Sequence, residues 1–357
     1  MIIEIDGSCL EKTDQVFIDA IDTLAFDRLK EKNFIFAEPH ILKQISLIDG
    51  LSNRAKGLFE SLSKKAAESK GIYNLSQYII RIVDKPLKPV THLNGKTIFQ
   101  VSLEDIRNKE FTVLPLFVVE NLVDAKFYKL LTEAFLIEKY GRLPSPIKCD
   151  VRHGGGSTTA SVLDDLRKTA EHSILCVVDS DKSFPIDKLG ETAKSIEQIK
   201  IDTEREFILC YTLGVREAEN LLPWEWTKTI IAEKRKLTSE SYVITDLFQV
   251  NPECQLYYDL KDGFSKKYLD DGGFCDYWLP ILSQRHNREI MKTEIDRLED
   301  YLPAFLSTTL EHITQELDVP KVTKDIKLRK FTGPTRTECE KISEMYFSFF
   351  VVGRRIT

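Results

Sequence analysis

The spacing of apolar residues changes along the chain and predicts helices first and a parallel sheet later. From Pro39 to about Asp84, apolar residues recur at intervals of three and four, a helical pattern that includes the segment NLSQYIIRIV. The next segment, PVTHLNGKTIFQVS, places an Asn94-Gly95 turn between two extended stretches, which predicts a short β-hairpin. Residues 1–110 are therefore predicted to form a mainly helical module that ends in a hairpin.

The pattern differs after residue 110. Four apolar strings of strand length, VLPLFVV, IKCDV, ILCVVD and FILCYTL, alternate with amphipathic helical stretches. Continuous apolar strings are typical of strands buried on both faces, and the alternation with helices indicates a parallel sheet with right-handed crossovers. We predict an α/β fold, with a small parallel sheet flanked by helices at 111–225. A mainly helical module at 226–357 follows, with a long helical stretch from Pro280 to Ile313 and a basic segment at 321–336.

Composition narrows the class of protein. The chain has 42% hydrophobic residues and no run of about 18 apolar residues, so it is predicted to be cytoplasmic and not to enter a membrane. Its seven Cys are isolated and form no CxxC pair, which favours free thiols in a reducing compartment. A net charge of −6 argues against a protein that coats DNA. It does not exclude an enzyme whose acidic site reaches phosphate through a metal ion.

Acidic residues follow three of the predicted strands. They are Glu120 and Asp124 after the first strand, Asp179 and Asp181 after the third, and Glu217 and Glu219 after the fourth. Because the carboxyl ends of parallel strands meet at one edge of a sheet, these carboxylates are expected to converge. Like charges raise the cost of ionising one another unless a cation neutralises them. Oxygen ligands select Mg²⁺ or Mn²⁺, which can support phosphodiester hydrolysis. For any single residue, the alternative is that it caps the following helix.

Two further features are candidates for contact with an anionic substrate. The glycine-rich turn that begins at Gly154 follows a strand and opens a helix, so its backbone N–H groups could meet an anion. The candidate contacts there are Arg152, Gly155, Gly156 and Ser157. Lys182, next to the D-x-D pair, could contact a phosphate. The alternatives are a capped strand-to-helix turn and a solvated lysine.

The order of the motifs VVENLVDAKFY, VRHGGGSTTASV, CVVDSDKS and REAENLLP resembles a Toprim domain, the metal-dependent fold of topoisomerases, primases and OLD-type nucleases. Within that superfamily the chain is most similar to Toprim nucleases of bacterial antiphage systems, including the effector of PARIS-type defence, which is partnered with an ATPase. The resemblance covers about residues 111–225. Where the family has a glycine after its first glutamate, this chain has Asn121, and because Asn tolerates a left-handed backbone the same turn is expected.

The resemblance implies roles for residues at the matching positions. Glu120 would be a metal ligand or general base, and Asp179 and Asp181 would hold metal. Asp124 and Glu219 would complete the site or hold a second ion, and Lys182 would contact phosphate or stabilise developing charge. The substrate would be nucleic acid, either DNA or a structured RNA such as tRNA.

The sequence therefore predicts a metal-dependent endonuclease with Mg²⁺ or Mn²⁺ as its cofactor. The resemblance further implies a toxic antiphage effector that an ATPase-containing partner holds inactive. The helical modules are expected to mediate self-association or docking on that partner. The alternative is a catalytically silent α/β subunit that serves binding or assembly, in which the acidic residues are structural. A primase or topoisomerase fits less well, because the chain has no room for the further domains.

Overall fold

The structure, a computed structural model, describes nine stretches of the chain. They are residues 1–86, 88–108, 113–169, 173–202, 206–222, 247–248, 251–302, 304 and 333–354. The chain divides into two compact units. The first unit contains residues 1–177, 199–211 and 341–357, and the second contains residues 178–198 and 212–340. The boundaries predicted at residues 110 and 225 do not coincide with this division.

A five-stranded sheet begins the first unit. Its strands are β1 (Ile2–Ile5), β2 (Phe34–Phe36), β3 (Tyr78–Val83), β4 (Val90–Leu93) and β5 (Lys96–Ser102), in the order β2-β1-β3-β5-β4. β1 pairs in parallel with β2 and β3, and β3 pairs in parallel with β5. Only β4 is antiparallel, and it forms a hairpin with β5 through a turn in which Asn94 has a φ of 51°. The predicted hairpin is present.

Strand β3 corrects the prediction that the helical pattern continues to Asp84. The preceding helix ends at Leu75, and the segment from Tyr78 to Val83 is extended. Its Ile79, Ile80 and Ile82 are fully buried, as expected of β-branched residues in a central strand. Apolar spacing could not distinguish this short run from a helix because the partner strands come from distant parts of the chain.

Helices surround this sheet. They are α1 (Gln15–Leu29), α2 (Pro39–Ser46), α3 (Asn53–Lys64), α4 (Ala66–Leu75) and α5 (Leu103–Arg107). Asp14 accepts the N–H of Phe17 at the start of α1, and Ser52 accepts the N–H of Ala55 at the start of α3. Residues 1–107 are thus rich in helix, as predicted, but they are built around a sheet of which the sequence predicted only the hairpin.

The four apolar strings after residue 110 form a second sheet, as predicted. Its strands are β6 (Leu116–Val119), β7 (Asp150–His153), β8 (Ile174–Val178) and β9 (Ile208–Thr212), in the order β7-β6-β8-β9. β6 pairs in parallel with β7 and β8, and Val119 is opposite Val177. β6 and β8 are buried along their whole lengths. The α/β class is therefore confirmed, with parallel-rich sheets flanked by helices.

The remaining helices are distributed between the units. They are α6 (Leu122–Tyr140), α7 (Thr159–Lys168), α8 (Glu191–Glu197), α9 (Gly272–His286) and α10 (Gly333–Phe350). Tyr346 and Phe350 of α10 contact the ring of Phe117 edge-on, with centroids 5.1 and 5.3 Å apart. Among the described residues, no helix is long and apolar enough to cross a membrane.

The second unit has its own aromatic core. Trp278 of α9 is fully buried beside Tyr258, Phe264 and Phe274. Its indole N–H donates to the carbonyl of Ser183 at 2.7 Å. The long helical stretch predicted from Pro280 is interrupted, because α9 ends at His286 and Asn287 adopts a left-handed backbone with a φ of 49°. Short 3₁₀ turns at Lys292–Glu294 and Leu298–Asp300 follow. Most of the predicted basic segment, residues 321–332, lies outside the described residues.

Candidate functional site

The loop after β8 is held in a specific conformation by the loop after β9. Backbone N–H groups of Ser180 and Asp181 both donate to the carbonyl of Arg216 at 3.0 Å. The hydroxyl of Ser180 donates to the carbonyl of Val215 at 2.6 Å. Asp181 has a φ of 55°, a left-handed conformation that Asp tolerates better than most residues. These bonds fix the direction in which the D-x-D pair leaves the strand.

Asp181 is exposed as a residue, yet its carboxylate lies against the backbone of Gly190. A Cβ at position 190 would lie 2.0 Å from Oδ2 of Asp181, so only glycine leaves room for this side chain. Packing of the chain around the carboxylate raises the pKa of Asp181. The charge of Asp259 adds to the rise, while Arg216 and Lys261 oppose it. The carboxylate is therefore part of a group of interacting charges.

Arg216 is the buried cation of this group, with 9% of its side chain exposed. One guanidinium nitrogen, Nη2, donates to Asp259 Oδ2 at 2.6 Å, and Nη1 donates to the carbonyl of Asp181 at 3.0 Å. Burial alone would lower the pKa of Arg216, but Asp259 and Glu217 turn the shift upward. Arg216 therefore joins the two loops and neutralises Asp259.

Lys261 bridges the two glutamates that follow β9. Its Nζ lies 3.1 Å from Oε2 of Glu217 and 3.1 Å from Oε1 of Glu219. The acidic surroundings raise the pKa of Lys261 above its ordinary value, although burial opposes them. Burial raises the pKa of Glu217 to about 7, assisted by the charges of Glu219 and Asp259 and opposed by Lys261 and Arg216. The ammonium group of Lys261 therefore lies beside Glu219, where the sequence predicted a metal ion.

Backbone contacts hold these glutamates in place. The Glu217 carboxylate accepts the backbone N–H of Asn220, and Oδ1 of Asn220 accepts the backbone N–H of Glu217 at 2.9 Å, around the 3₁₀ turn Ala218–Leu221. The Asn220 amide also donates to the carbonyls of Gln255 and Tyr258 at 2.7 and 2.8 Å. Asp259 and Lys261 come just after Tyr258 in the chain. The bonds from Asn220 therefore also position Asp259, the partner of Arg216, and Lys261, the partner of both glutamates.

The second unit therefore carries more acidic than basic charge at this site. Five carboxyl groups face two cations, and the residues are Asp179, Asp181, Glu217, Glu219 and Asp259 against Arg216 and Lys261. If all were ionised, three negative charges would be in excess. Such an excess is unfavourable when partly removed from water, unless a proton or a further cation balances it. We call this set of seven residues the acidic site.

The first unit contains the other predicted ligands, Glu120 and Asp124. Glu120 directly follows β6 and is half-buried. The pKa of the buried Cys176 thiol is raised, first by the hydrogen bond between Cys176 and Cys210 and to a smaller extent by the charge of Glu120. The Asp124 carboxylate accepts the backbone N–H of Asn121 at 3.1 Å, within a capping box at the start of α6. Asp124 therefore caps helix α6, which is the alternative role considered for the acidic residues.

Asn121 does not adopt the left-handed turn that the resemblance implied. Its φ is −133° and its ψ is 145°, an extended conformation, and its side chain accepts the N–H of Val123 at 3.2 Å. The residue is a helix N-cap. Within the acidic site, the residue with a left-handed backbone is Asp181.

Of the N–H groups predicted to meet an anion, that of Gly155 is used within the protein. The N–H of Gly154 donates to the carbonyl of Val119 at 2.7 Å, and that of Gly155 donates to the backbone carbonyl of Glu120 at 3.2 Å. Gly155 and Gly156 have φ values of 76° and 64°, which explains their glycine identity. The turn therefore serves to join β6 and β7, and Gly155 donates to protein instead of substrate.

The other predicted contacts are Gly156, which has no side chain, and three residues whose side chains lie near the surface. Arg152 is exposed and pairs with Asp150 at 2.7 Å, Ser157 is exposed, and Lys182 is half-buried. The backbone N–H of Lys182 donates to the Ser180 hydroxyl at 3.4 Å. These positions remain predictions for substrate contact.

The fit of a metal ion to these residues is partial. Among the described residues, no group of three or more His, Cys, Asp or Glu side chains is arranged to hold a metal. Within the acidic site, Lys261 holds Glu219 and Arg216 holds Asp259, so Glu219 does not fit as a ligand in this arrangement. The donors at Asp179 and Asp181 are oxygens, the type of ligand that a hard divalent cation prefers.

No family model, curated protein or solved structure matches the chain. Sequence reasoning missed Arg216, Asp259 and Lys261, because a charged residue in a loop gives no local sign of burial. The DLKDG segment after Tyr258 carried no periodic signal that would have selected it.

Proposed function

We propose that the chain is a Mg²⁺- or Mn²⁺-dependent nuclease that hydrolyses phosphodiester bonds in DNA or structured RNA. The observation that carries the proposal is the acidic site, in which five carboxyl groups outnumber two cations. Four of these carboxyl groups lie on the loops after β8 and β9. In an open parallel sheet, ligands bind beyond the carboxyl ends of the strands. A site of that kind, lined by oxygen donors, suits a divalent cation and a phosphate.

The protein's own residues have distinct parts in this proposal. Asp179 and Asp181 would hold the cation. Arg216 keeps the backbone of Asp181 in place, and Lys261 pairs with Glu219. When bound, the divalent cation supplies an activated water and stabilises the leaving oxygen. Lys182 is the proposed contact to the phosphate.

The biological setting belongs to the same proposal and comes from the resemblance alone. In it, the nuclease is the toxic effector of a bacterial antiphage system, and an ATPase-containing partner restrains it. The proposed restraint is tested by co-expressing the chain with the ATPase-containing partner, which should abolish any toxicity that the chain shows in cells when expressed alone.

A second function is favoured by one specific observation. Lys261 and Arg216 already pair with Glu217, Glu219 and Asp259 at distances between 2.6 and 3.1 Å. A site whose carboxylates are paired with the protein's own cations is also what a binding or assembly subunit without catalysis would contain. Direct measurement of metal binding separates the two functions.

The decisive experiment measures Mn²⁺ binding by calorimetry and cleavage of DNA and tRNA by gel assay. Asp179→Asn is expected to weaken Mn²⁺ binding and to reduce cleavage by roughly a hundredfold or more, since it removes a ligand charge. Asp270→Asn is the matched control, because its side chain is 88% exposed in the same unit, and it should leave both quantities unchanged.

A second pair of variants moves Asp181 without removing any charge. Gly190→Ala places a Cβ 2.0 Å from Oδ2 of Asp181, whereas Gly57→Ala adds a Cβ with nothing within 4 Å. The first should lose cleavage and the second should not. Wild-type cleavage by both Asp179→Asn and Gly190→Ala, or no Mn²⁺ binding by the wild type, would favour the assembly function.

A further inference from the structure

A cavity of about 220 Å³ lies in the first unit, separate from the residues of the acidic site. Its apolar wall includes Phe34, Ile35, Leu62 and Ile72. The charged residues of its lining are Arg28, Lys65 and Arg354 against a single Glu68. A small cavity with an apolar wall and a few polar groups is the usual form of a small-molecule site. The lining has two positive charges in excess.

Arg28 is the residue that distinguishes this cavity from an ordinary packing gap. The residue is only 5% exposed. Its Nη2 donates to the carbonyl of Arg354 at 2.8 Å, but its Nε and Nη1 have no hydrogen-bond partner among the described residues. Burial lowers the pKa of Arg28 to about 10, so the guanidinium is still charged at neutral pH. A buried cation with unpaired donors is costly unless an anion satisfies it.

Among the described residues, no carboxylate accepts a hydrogen bond from Nε or Nη1 of Arg28. Glu31, whose charge raises the pKa of Arg28, forms an ion pair with Lys148. The neighbouring Asp27 pairs with Lys32 at 3.2 Å. The guanidinium is further held against the backbone of Gly353, where a Cβ would lie 2.1 Å from Cζ. Arg28 is therefore fixed in position with part of its donor capacity unused.

We propose that this cavity binds the phosphate group of a small phosphate monoester, held by Arg28, Lys65 and Arg354. A monoester carries about −1.5 to −2 charges at neutral pH, which matches the excess of the lining, whereas a carboxylate would balance only part of it. The organic part of the ligand lies against Phe34 and Leu62. The assignment does not depend on nuclease activity, because none of these residues belongs to the acidic site.

The test is calorimetric titration of the full chain with phenyl phosphate, inorganic phosphate and benzoate in phosphate-free buffer. Phenyl phosphate should bind most tightly, because it combines the dianion with an apolar ring. Inorganic phosphate should bind more weakly, and benzoate most weakly. Failure of phenyl phosphate to bind at millimolar concentrations, or an equal affinity for benzoate, would overturn the proposal.

Variants locate the binding to this cavity. Lys65→Gln should weaken phenyl phosphate binding about tenfold, the value of one charge-assisted hydrogen bond. Lys64→Gln is the matched control, since Lys64 is the adjacent lysine, pairs with Glu60 at 3.0 Å and does not line the cavity. Arg28→Met should reduce affinity by roughly a hundredfold. Equal affinities of the Lys65 and Lys64 variants for phenyl phosphate would exclude the cavity as the binding site. Both lysines are exposed, so neither substitution disturbs a buried side chain.

Discussion

Arg216 in the second unit and Arg28 in the first are both buried arginines, but they differ in what surrounds them. Arg216 donates to a carboxylate at 2.6 Å and to a backbone carbonyl at 3.0 Å, and its Nε has no hydrogen-bond partner among the described residues. Arg28 donates to one carbonyl and leaves Nε and Nη1 without a partner among the described residues. The first arrangement pairs the guanidinium with a buried carboxylate, while the second leaves a charge for a ligand to satisfy. Burial of a charge is thus informative about function only together with its partners.

The largest effect is expected from removing the paired arginine. Arg216→Met leaves Asp259, whose side chain is 7% exposed, as a buried carboxylate without its cation. We expect a loss of about 3–5 kcal/mol in the free energy of unfolding, measured by urea denaturation. Arg288→Gln breaks an exposed ion pair with Glu294 and should cost less than about 1 kcal/mol. Similar losses for the two variants would show that Arg216 is not an internal counter-ion.

A smaller and pH-dependent effect is expected at Glu217. Its folded-state pKa of about 7 lies above its ordinary value of 4.5, so the folded protein binds more protons than the unfolded chain between these values. Stability supplied by the protonated form is therefore present at low pH and is lost as the pH rises through this window. Glu217→Gln should remove that loss and be more stable than wild type by about 2 kcal/mol at pH 8 in metal-free buffer.

The pH profile provides the control for this variant. At pH 4, where Glu217 is protonated in both states, the two proteins should have nearly equal stability. A constant difference between pH 4 and pH 8 would contradict the raised pKa and indicate that the substitution acts through packing.

The smallest effect is expected from removing the unpaired arginine. Arg28→Met keeps a long apolar side chain in the cavity lining and removes a buried charge without orphaning a carboxylate. The free energy of unfolding should change by no more than about 1 kcal/mol, with one hydrogen bond to Arg354 lost and the cost of burying a charge removed. A loss as large as that of Arg216→Met would show that Arg28 already has a counter-ion, and the contrast between the two arginines would disappear.

The two sheets differ in how well the sequence predicted them. β6 and β8 are surrounded on both faces, so their apolar runs are continuous and easily detected. β3 is also central, but it follows a helix after two residues and continues its apolar spacing, so the sequence favoured a helix there. The long helix predicted after Pro280 failed for a related reason, since Asn287 ends α9 with a left-handed residue that periodicity does not reveal.

The sequence by itself determined the α/β class, the four strands of the second sheet and the acidic residues that follow them. These features depend on short runs whose burial is nearly complete, and local pattern reports such burial well. Only the tertiary structure brought Asp259 to Arg216 across 43 positions and Arg28 to Arg354 across 326 positions. Pairing of charges depends on distance in space, and for that reason no local pattern distinguished Arg216, which pairs with a carboxylate, from Arg28, which has no such pair among the described residues.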